Sequence, residues 1–228
     1  MNIAIAGKTG SGKSTLINTV LKFLQKHYKE DRKQVIIFDT STSYAEMDAE
    51  KGNIDLYDTD VVVSTLYKRF DVNVMIEKAS LKEHDILVNL AFLDEKQQRE
   101  LLDIFSFEIL RKHVDIIVII DEGSKLFPRF HFSHGVGQLL REGRKRRLDV
   151  IIAYQSLTDV DLAAIKQAHY ALIFNMVTAE DKAKMSKLLE LDAYRTSFDV
   201  LEEHECFIKN LQTGKLGIIN PNTEPVLE

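Results

Sequence analysis

The sequence predicts an α/β fold: an open, mostly parallel central sheet with helices on both faces and a C-terminal β-hairpin. Three observations predict it. Apolar runs alternate with helix-spaced patterns from one end of the chain to the other. A short apolar run, Ile3-Ala4-Ile5-Ala6, passes through a glycine-rich loop into an amphipathic stretch running from Ser14 to about Tyr28. Near the end, Glu205–Asn210 and Lys215–Asn220 face each other across Gln212-Thr213-Gly214, a turn sequence.

The elements follow in order. Asn2–Ala6 is the first core strand, and the helix after it carries Ile17, Leu21, Leu24 and Tyr28 on one face. Gln34–Asp39 is the second strand. Val61–Ser64, Val72–Ile76 and Ile86–Leu90 read as short strands whose order the pattern does not give. A helix starts near Asp94, where Asp94-Glu95-Lys96-Gln97 has the form of a capping box, and turns Leu102, Phe105 and Ile109 inward. Asp115–Asp121, Asp149–Tyr154 and His169–Asn175 are further core strands. Helices follow Ser133, Thr158 and Thr178, each an N-cap residue by type.

The chain has 228 residues, of which 45% are hydrophobic and 29% charged, so one sizeable domain spanning 1–228 is expected. No Pro/Gly-rich linker marks a boundary. Ile116–Ile120 is far too short to cross a bilayer, and no signal peptide is read at Met1. The single cysteine, Cys206, fits a reducing, cytoplasmic setting. Net charge is −5, which excludes a basic nucleic-acid coat and confines any DNA contact to local patches.

Gly7 to Ser14 read Gly-Lys-Thr-Gly-Ser-Gly-Lys-Ser, completing the phosphate-binding pattern G-x-x-x-x-G-K-[ST] in its strand–loop–helix setting. Glycines let successive N–H groups converge on phosphate oxygens, and the helix N-terminus adds its positive dipole end. Gly7, Lys8, Thr9, Gly10, Ser11, Gly12, Lys13, Ser14 and Thr15 are therefore the nucleotide-binding set. Lys13 reaches the β- and γ-phosphates, and the Ser14 hydroxyl holds Mg²⁺. The cofactors expected are ATP and Mg²⁺.

The strand that starts at Asp115 and runs through Ile116–Ile120 ends in two acids, Asp121-Glu122. An acid at this strand tip holds Mg²⁺ in P-loop enzymes, and an adjacent glutamate polarises the attacking water as general base. Neither an Asn-Lys-x-Asp guanine-reading motif nor a Leu-Ser-Gly-Gly-Gln transporter signature occurs. A third signal is the run from Leu140 to Arg147, with five cations in seven residues, followed by a strand ending in Gln155. A solvated helix end accounts for part of it. The sharper reading has an arginine reach a neighbouring subunit's γ-phosphate, with Gln155 sensing that phosphate. His131 and His134, with no partners at ligand spacing, read as solvated loop residues; His204 and Cys206 read as packing or edge residues of the hairpin.

These motifs together resemble the HerA/FtsK superfamily of DNA-pumping P-loop ATPases. The resemblance rests on Gly-Lys-Thr-Gly-Ser-Gly-Lys-Ser, Asp121-Glu122, and Arg-Glu-Gly-Arg-Lys-Arg-Arg-Leu-Asp-Val-Ile-Ile-Ala-Tyr-Gln, and covers residues 1–40 and 115–220. It implies a single P-loop NTPase domain of the ASCE/RecA-like class. It implies ATP hydrolysis coupled to movement of double-stranded DNA by a homo-oligomeric ring, hexameric or pentameric. Lys13, Ser14, Asp121, Glu122 and Gln155 carry over as phosphate ligand, Mg²⁺ ligand, Mg²⁺ acid, base and sensor. Arg144 or Arg141 carries over as the trans-acting arginine. None of the added domains of cellular pumps is expected in these 228 residues, which in size are similar to viral genome-packaging ATPases, and this resemblance implies a viral portal or membrane protein as docking partner. The alternative is a dimerising partition ATPase of the ParA/MinD type, on the strength of Lys8 lying five residues before Lys13. Thr9 in place of glycine and Glu122 after Asp121 depart from that pattern.

Overall fold

The computed structural model describes residues 1–27, 33–40, 60–63, 85–91, 93–112, 115–126, 133–158, 160, 162–190 and 200–221. The expected strand Val72–Ile76 lies outside them. Nine strands are described: β1 (Asn2–Ala6), β2 (Gln34–Asp39), β3 (Asp60–Val63), β4 (Ile86–Asn89), β5 (Ile116–Ile120), β6 (Asp149–Tyr154), β7 (Tyr170–Phe174), β8 (Cys206–Asn210) and β9 (Leu216–Ile219). They form one sheet in the order β3-β4-β2-β5-β6-β1-β7-β8-β9. Pairing is parallel from β3 through to β7 and antiparallel at β7–β8 and β8–β9. The fold is the mixed, mostly parallel α/β architecture expected of a P-loop chain, with the hairpin added to its β7 edge.

Successive residues of a strand face opposite sides, and both sides are covered here. On one face Ile3 and Ile5 of β1 and Ile117 and Ile119 of β5 share a core with Leu16, Ile17, Val20, Leu21 and Leu24 of α1 (Lys13–His27). On the other, Val118 and Ile120 share a core with α2 (Glu95–Lys112), α4 (His134–Glu142) and α6 (Ala179–Leu189), the single turn α3 (Gly123–Leu126) following β5. Phe105 of α2 stands edge-on to Phe38 of β2, ring centroids 4.7 Å apart. Burying Leu101, Leu102, Phe105 and Ile109 contributes about 1.5–3 kcal/mol each. The half-exposed Glu95–Arg99 pair, at 3.6 Å, is worth at most about 0.5 kcal/mol. Packing, not surface charge, docks α2.

Local capping chemistry sets the helix starts. Asp94 Oδ1 accepts from Gln97 N (2.9 Å) while Gln97 Oε1 accepts from Asp94 N (3.0 Å), closing the capping box. Ser133 and Thr178 accept from Val136 N and Asp181 N and cap α4 and α6. Thr158 does not act as a cap. The next helix, α5 (Leu162–Ile165), is one turn long and starts four residues later, and the Thr158 hydroxyl instead donates to Asp181. The hairpin turns through Asn210, whose side chain accepts from Gln212 N (2.9 Å) and Thr213 N (3.0 Å).

Among the described residues no helix is long and apolar enough to cross a membrane.

Candidate active site

The parallel strands place their C-terminal ends on one edge of the sheet, and the sequence motifs converge there. β6 lies between β1, which leads into the phosphate loop, and β5, which ends at Asp121. Its own tip, Tyr154 to Gln155, therefore sits between loop and acids.

Gly7 donates its N–H to the Tyr154 carbonyl at 3.0 Å, pinning the loop's base to β6. A Cβ at Gly7 would stand 2.5 Å from Ser11 Oγ and 2.9 Å from Phe174 Cβ, so only glycine fits. Gly12 has φ +100°, a conformation that side-chain-bearing residues rarely adopt, and it aims the start of α1 at the loop. Lys8, Thr9 and Gly10 are exposed, Ser11 is buried, and Ser14 and Thr15 open the first turn of α1. Lys13 Nζ donates to the carbonyls of Gly7 (2.6 Å) and Lys8 (2.9 Å). Burial lowers the Lys13 pKa from its ordinary value, and the Asp121 and Glu122 charges work in the opposite direction. The ammonium is thus poorly solvated and close to two carboxylates, suited to a phosphate.

Asp121 and Glu122 are only 8% and 7% exposed. Asp121 N donates to the Phe38 carbonyl at 3.0 Å, extending the β2–β5 pairing to the strand tip. Burial, followed by the Glu122 and Asp39 carboxylates, pushes the Asp121 carboxyl up to about 6. Glu122 sits at φ +54°, in the left-handed region, at a cost of roughly 1–2 kcal/mol. That backbone lifts its carboxylate toward β6 and β2. Gln155 Nε2 donates to Glu122 Oε1, and Thr40 Oγ1 lies 3.4 Å from Glu122 Oε2. A carboxyl group held by an amide and a hydroxyl has the geometry to orient a water.

Asp39, Thr40 and His204 are neighbours of this site that the motifs did not mark. Asp39 ends β2 and Thr40 follows it, and an acid then a hydroxyl at the tip of a parallel strand was the available signal. His204 is not on the hairpin strands. It lies in the exposed turn before β8 at φ +68°, with Nδ1 3.5 Å from the Ser11 carbonyl, and so borders the phosphate loop. A cleft of about 310 Å³ runs between this turn and the loop, and another of about 490 Å³ lies between the loop and the turn after β6.

The basic run lies elsewhere. Arg141 is exposed at the end of α4, and Arg144 lies in the 3₁₀ turn Gly143–Arg146, its side chain outside what the structure describes. Arg146 donates to the Leu110 carbonyl, Arg147 pairs with Asp115 at 3.2 Å, and buried Lys33 joins Asp115 (2.9 Å) and Asp149 (3.0 Å). All of this is at the N-terminal ends of β5 and β6. The six residues of β6, about 20 Å at ~3.3 Å per residue, separate it from the same chain's Gln155.

The fold has counterparts among solved structures. The fold superposes on the genome packaging NTPase B204 from Sulfolobus turreted icosahedral virus 2 in complex with ATP-gammaS, with TM-score 0.67, 18% identity and 96% of each chain covered. It superposes equally on B204, the DNA-packaging ATPase from Sulfolobus Turreted Icosahedral Virus (TM-score 0.67, 20% identity, 96% of this chain and 97% of that one). EssC, ATPases 2 and 3, from Geobacillus thermodenitrificans matches at TM-score 0.50 and 16% identity, covering 92% of this chain and 37% of that one. At these identities the likeness is one of fold. No curated protein matches the sequence. The family model for the helicase HerA central domain (DUF87) matches residues 1–220. With the phosphate loop, the acid pair and the intervening β6 all inside that match, the chain belongs to the helicase HerA central-domain family.

Proposed function

We propose that this chain is an ATP-hydrolysing motor that moves or packages double-stranded DNA, working as a homo-oligomeric ring. The observation that carries the reading is the meeting of Glu122 with Gln155 beside the Lys13 loop, on the tips of β5, β6 and β1. Family membership and the fold shared with viral packaging ATPases support the DNA-moving part.

In this reading Gly7 to Thr15 wrap the triphosphate, with Lys13 exchanging its two loop carbonyls for phosphate oxygens. Ser14 and Asp121 hold Mg²⁺. The donor set fits: both offer hard oxygens, and the Asp121 carboxyl, raised by burial and by Glu122 and Asp39, is a site of excess negative charge. The ion supplies charge neutralisation on the phosphate oxygens. Glu122 accepts a proton from the attacking water, and Gln155 and Thr40 orient its carboxylate. Arg141 or Arg144 cannot serve its own protomer's site across the length of β6 and is assigned to a neighbour's site in the ring.

The test is phosphate release from ATP with and without duplex DNA, alongside solution mass with ATP and Mg²⁺. Turnover stimulated by DNA, in a particle of five or six copies, is expected. A two-fold particle would favour the partition-ATPase alternative, and turnover indifferent to DNA would remove the motor reading.

A further inference from the structure

Asp181 lies in the first turn of α6 and is 5% exposed. Capping that helix requires only the Thr178 hydroxyl, which accepts from Asp181 N at 3.0 Å. The Asp181 carboxylate reaches further. Its Oδ2 accepts from Thr178 Oγ1 at 2.7 Å. Its Oδ1 is approached by Ser156 Oγ (2.9 Å), Leu157 N (2.8 Å), Thr158 N (2.9 Å) and Thr158 Oγ1 (2.8 Å). One turn further along α6, Lys184 Nζ donates to the Leu157 carbonyl at 2.8 Å and to the Thr158 carbonyl. Burial works to raise the Asp181 pKa, and the hydrogen bonds from Thr178, Thr158, Ser156 and Leu157 outweigh it, so the carboxyl sits below its ordinary value. It is an ionised anchor at neutral pH.

The three residues it grips, 156 to 158, directly follow Gln155, which is exposed apart from its bond to Glu122. Among the described residues the Gln155 side chain bonds to Glu122 alone, and its backbone is held on one side by β6 and on the other by the anchored turn. The same turn walls the cleft of about 490 Å³ beside Lys8 and Thr9. We propose that Asp181 is a positioning residue for hydrolysis: by clamping Ser156–Thr158 to α6 it fixes Gln155, and through Gln155 the Glu122 carboxylate. This rests on the reading of Glu122 and Gln155 given above.

The experiment is a double-mutant cycle in the full chain, read as kcat and KM for ATP. Gln155→Ala is expected to lower kcat by tenfold or more. Asp181→Asn, which replaces acceptor lone pairs with an N–H₂ facing donors, is expected to lower kcat comparably and to change KM less than threefold. The double variant should be no slower than the slower single, because both remove one arrangement. Asn210→Ala, which removes the side-chain acceptor of the hairpin turn and touches neither Asp181 nor residues 156–158, should lower the melting temperature and spare kcat. If Asp181→Asn does not fold, Ser156→Ala with Thr158→Val removes donors from the other side and must give the same kcat signature. Losses that multiply in the double variant, or an Asn210→Ala kcat as low as that of Asp181→Asn, would overturn the proposal while leaving the site reading intact. A Gln155→Ala variant with wild-type kcat would overturn the site reading and this inference with it.

Discussion

Thr40 Oγ1 stands 3.2 Å from the Asp121 carbonyl and 3.4 Å from Glu122 Oε2, so one hydroxyl on the tip of β2 shares its proton between both acids' residues. Glu122 is thereby steadied from two neighbouring strands, β2 through Thr40 and β6 through Gln155. Thr40→Val keeps the shape and removes this donor. A hydrogen bond to a charged group is worth roughly 1.5–3 kcal/mol at good geometry, and less at 3.4 Å. We expect kcat to fall about 3–10-fold with ATP affinity unchanged, measured by steady-state phosphate release and equilibrium nucleotide binding. An unchanged kcat would mean that Gln155 alone orients the base.

Lys13 and Glu122 should separate binding from chemistry. Lys13→Ala removes a ground-state phosphate contact and is expected to abolish nucleotide binding or turnover. Glu122→Gln keeps the shape but turns one of the two acceptor oxygens, which receive Gln155 and Thr40, into an N–H₂, and it removes the proposed base. It should therefore bind ATP normally and slow hydrolysis by about 10²–10⁴-fold. Binding titrations beside single-turnover assays check both. Wild-type turnover by Glu122→Gln would remove the base assignment.

Asp121 carries a pH dependence whose sign follows from its raised pKa. Below its ordinary value of 3.8 the carboxyl is protonated in both folded and unfolded chains. Between there and about 6 the native state still holds a proton that the unfolded state has released, so stability falls as pH rises through this window. Above it the ligand-free protein carries the full penalty, roughly 2–3 kcal/mol. Asp121→Asn should therefore melt higher than wild type at pH 7.5, by about 5 °C or more, with the gap closing toward pH 4. Thermal melts of nucleotide-free protein across that range decide it, and a gap that widens on acidification would contradict the assigned pKa.

The basic run makes a prediction about mixtures. Arg144→Ala or Arg141→Ala should spare nucleotide binding and cut turnover by ~10³-fold, the scale of arginine fingers. Blended with Lys13→Ala, the arginine variant should regain partial activity, since some interfaces then pair an intact loop with an intact arginine. A solvated helix end, worth only ~0.3–1 kcal/mol, gives little loss and no rescue. Phosphate release at several mixing ratios separates the two.

What the sequence disclosed was what short-range chemistry decides. The phosphate loop, the acid pair and the β6 tip are contiguous motifs, and the capping box at Asp94 closes over three residues. Ser133 and Thr178 cap for the same local reason. Thr158 misled because its hydroxyl goes to Asp181, 23 residues away, and no local pattern records that. The meeting of Gln155 with Glu122 depends on β6 inserting between β1 and β5, a matter of long-range order. His204 reaches Ser11 only because β8 pairs with β7 and the turn takes a left-handed φ that its residue type does not announce. The short strands between 60 and 90 join the sheet beyond β2, an order that periodicity alone could not rank.

β6 joins two chemically opposite ends of the molecule. It is buried along all six residues and hydrogen-bonded on both sides, in register with β1 from Asn2 to Ala6 and with β5 from Ile117 to Ile120. Close-packed interiors have low compressibility, so such a strand behaves as a strut. The cations of 144–147 are mounted at its foot and Gln155 at its head. Strain applied at the foot is carried along such a strand, and its amides should be among the slowest of the described residues to exchange with deuterium.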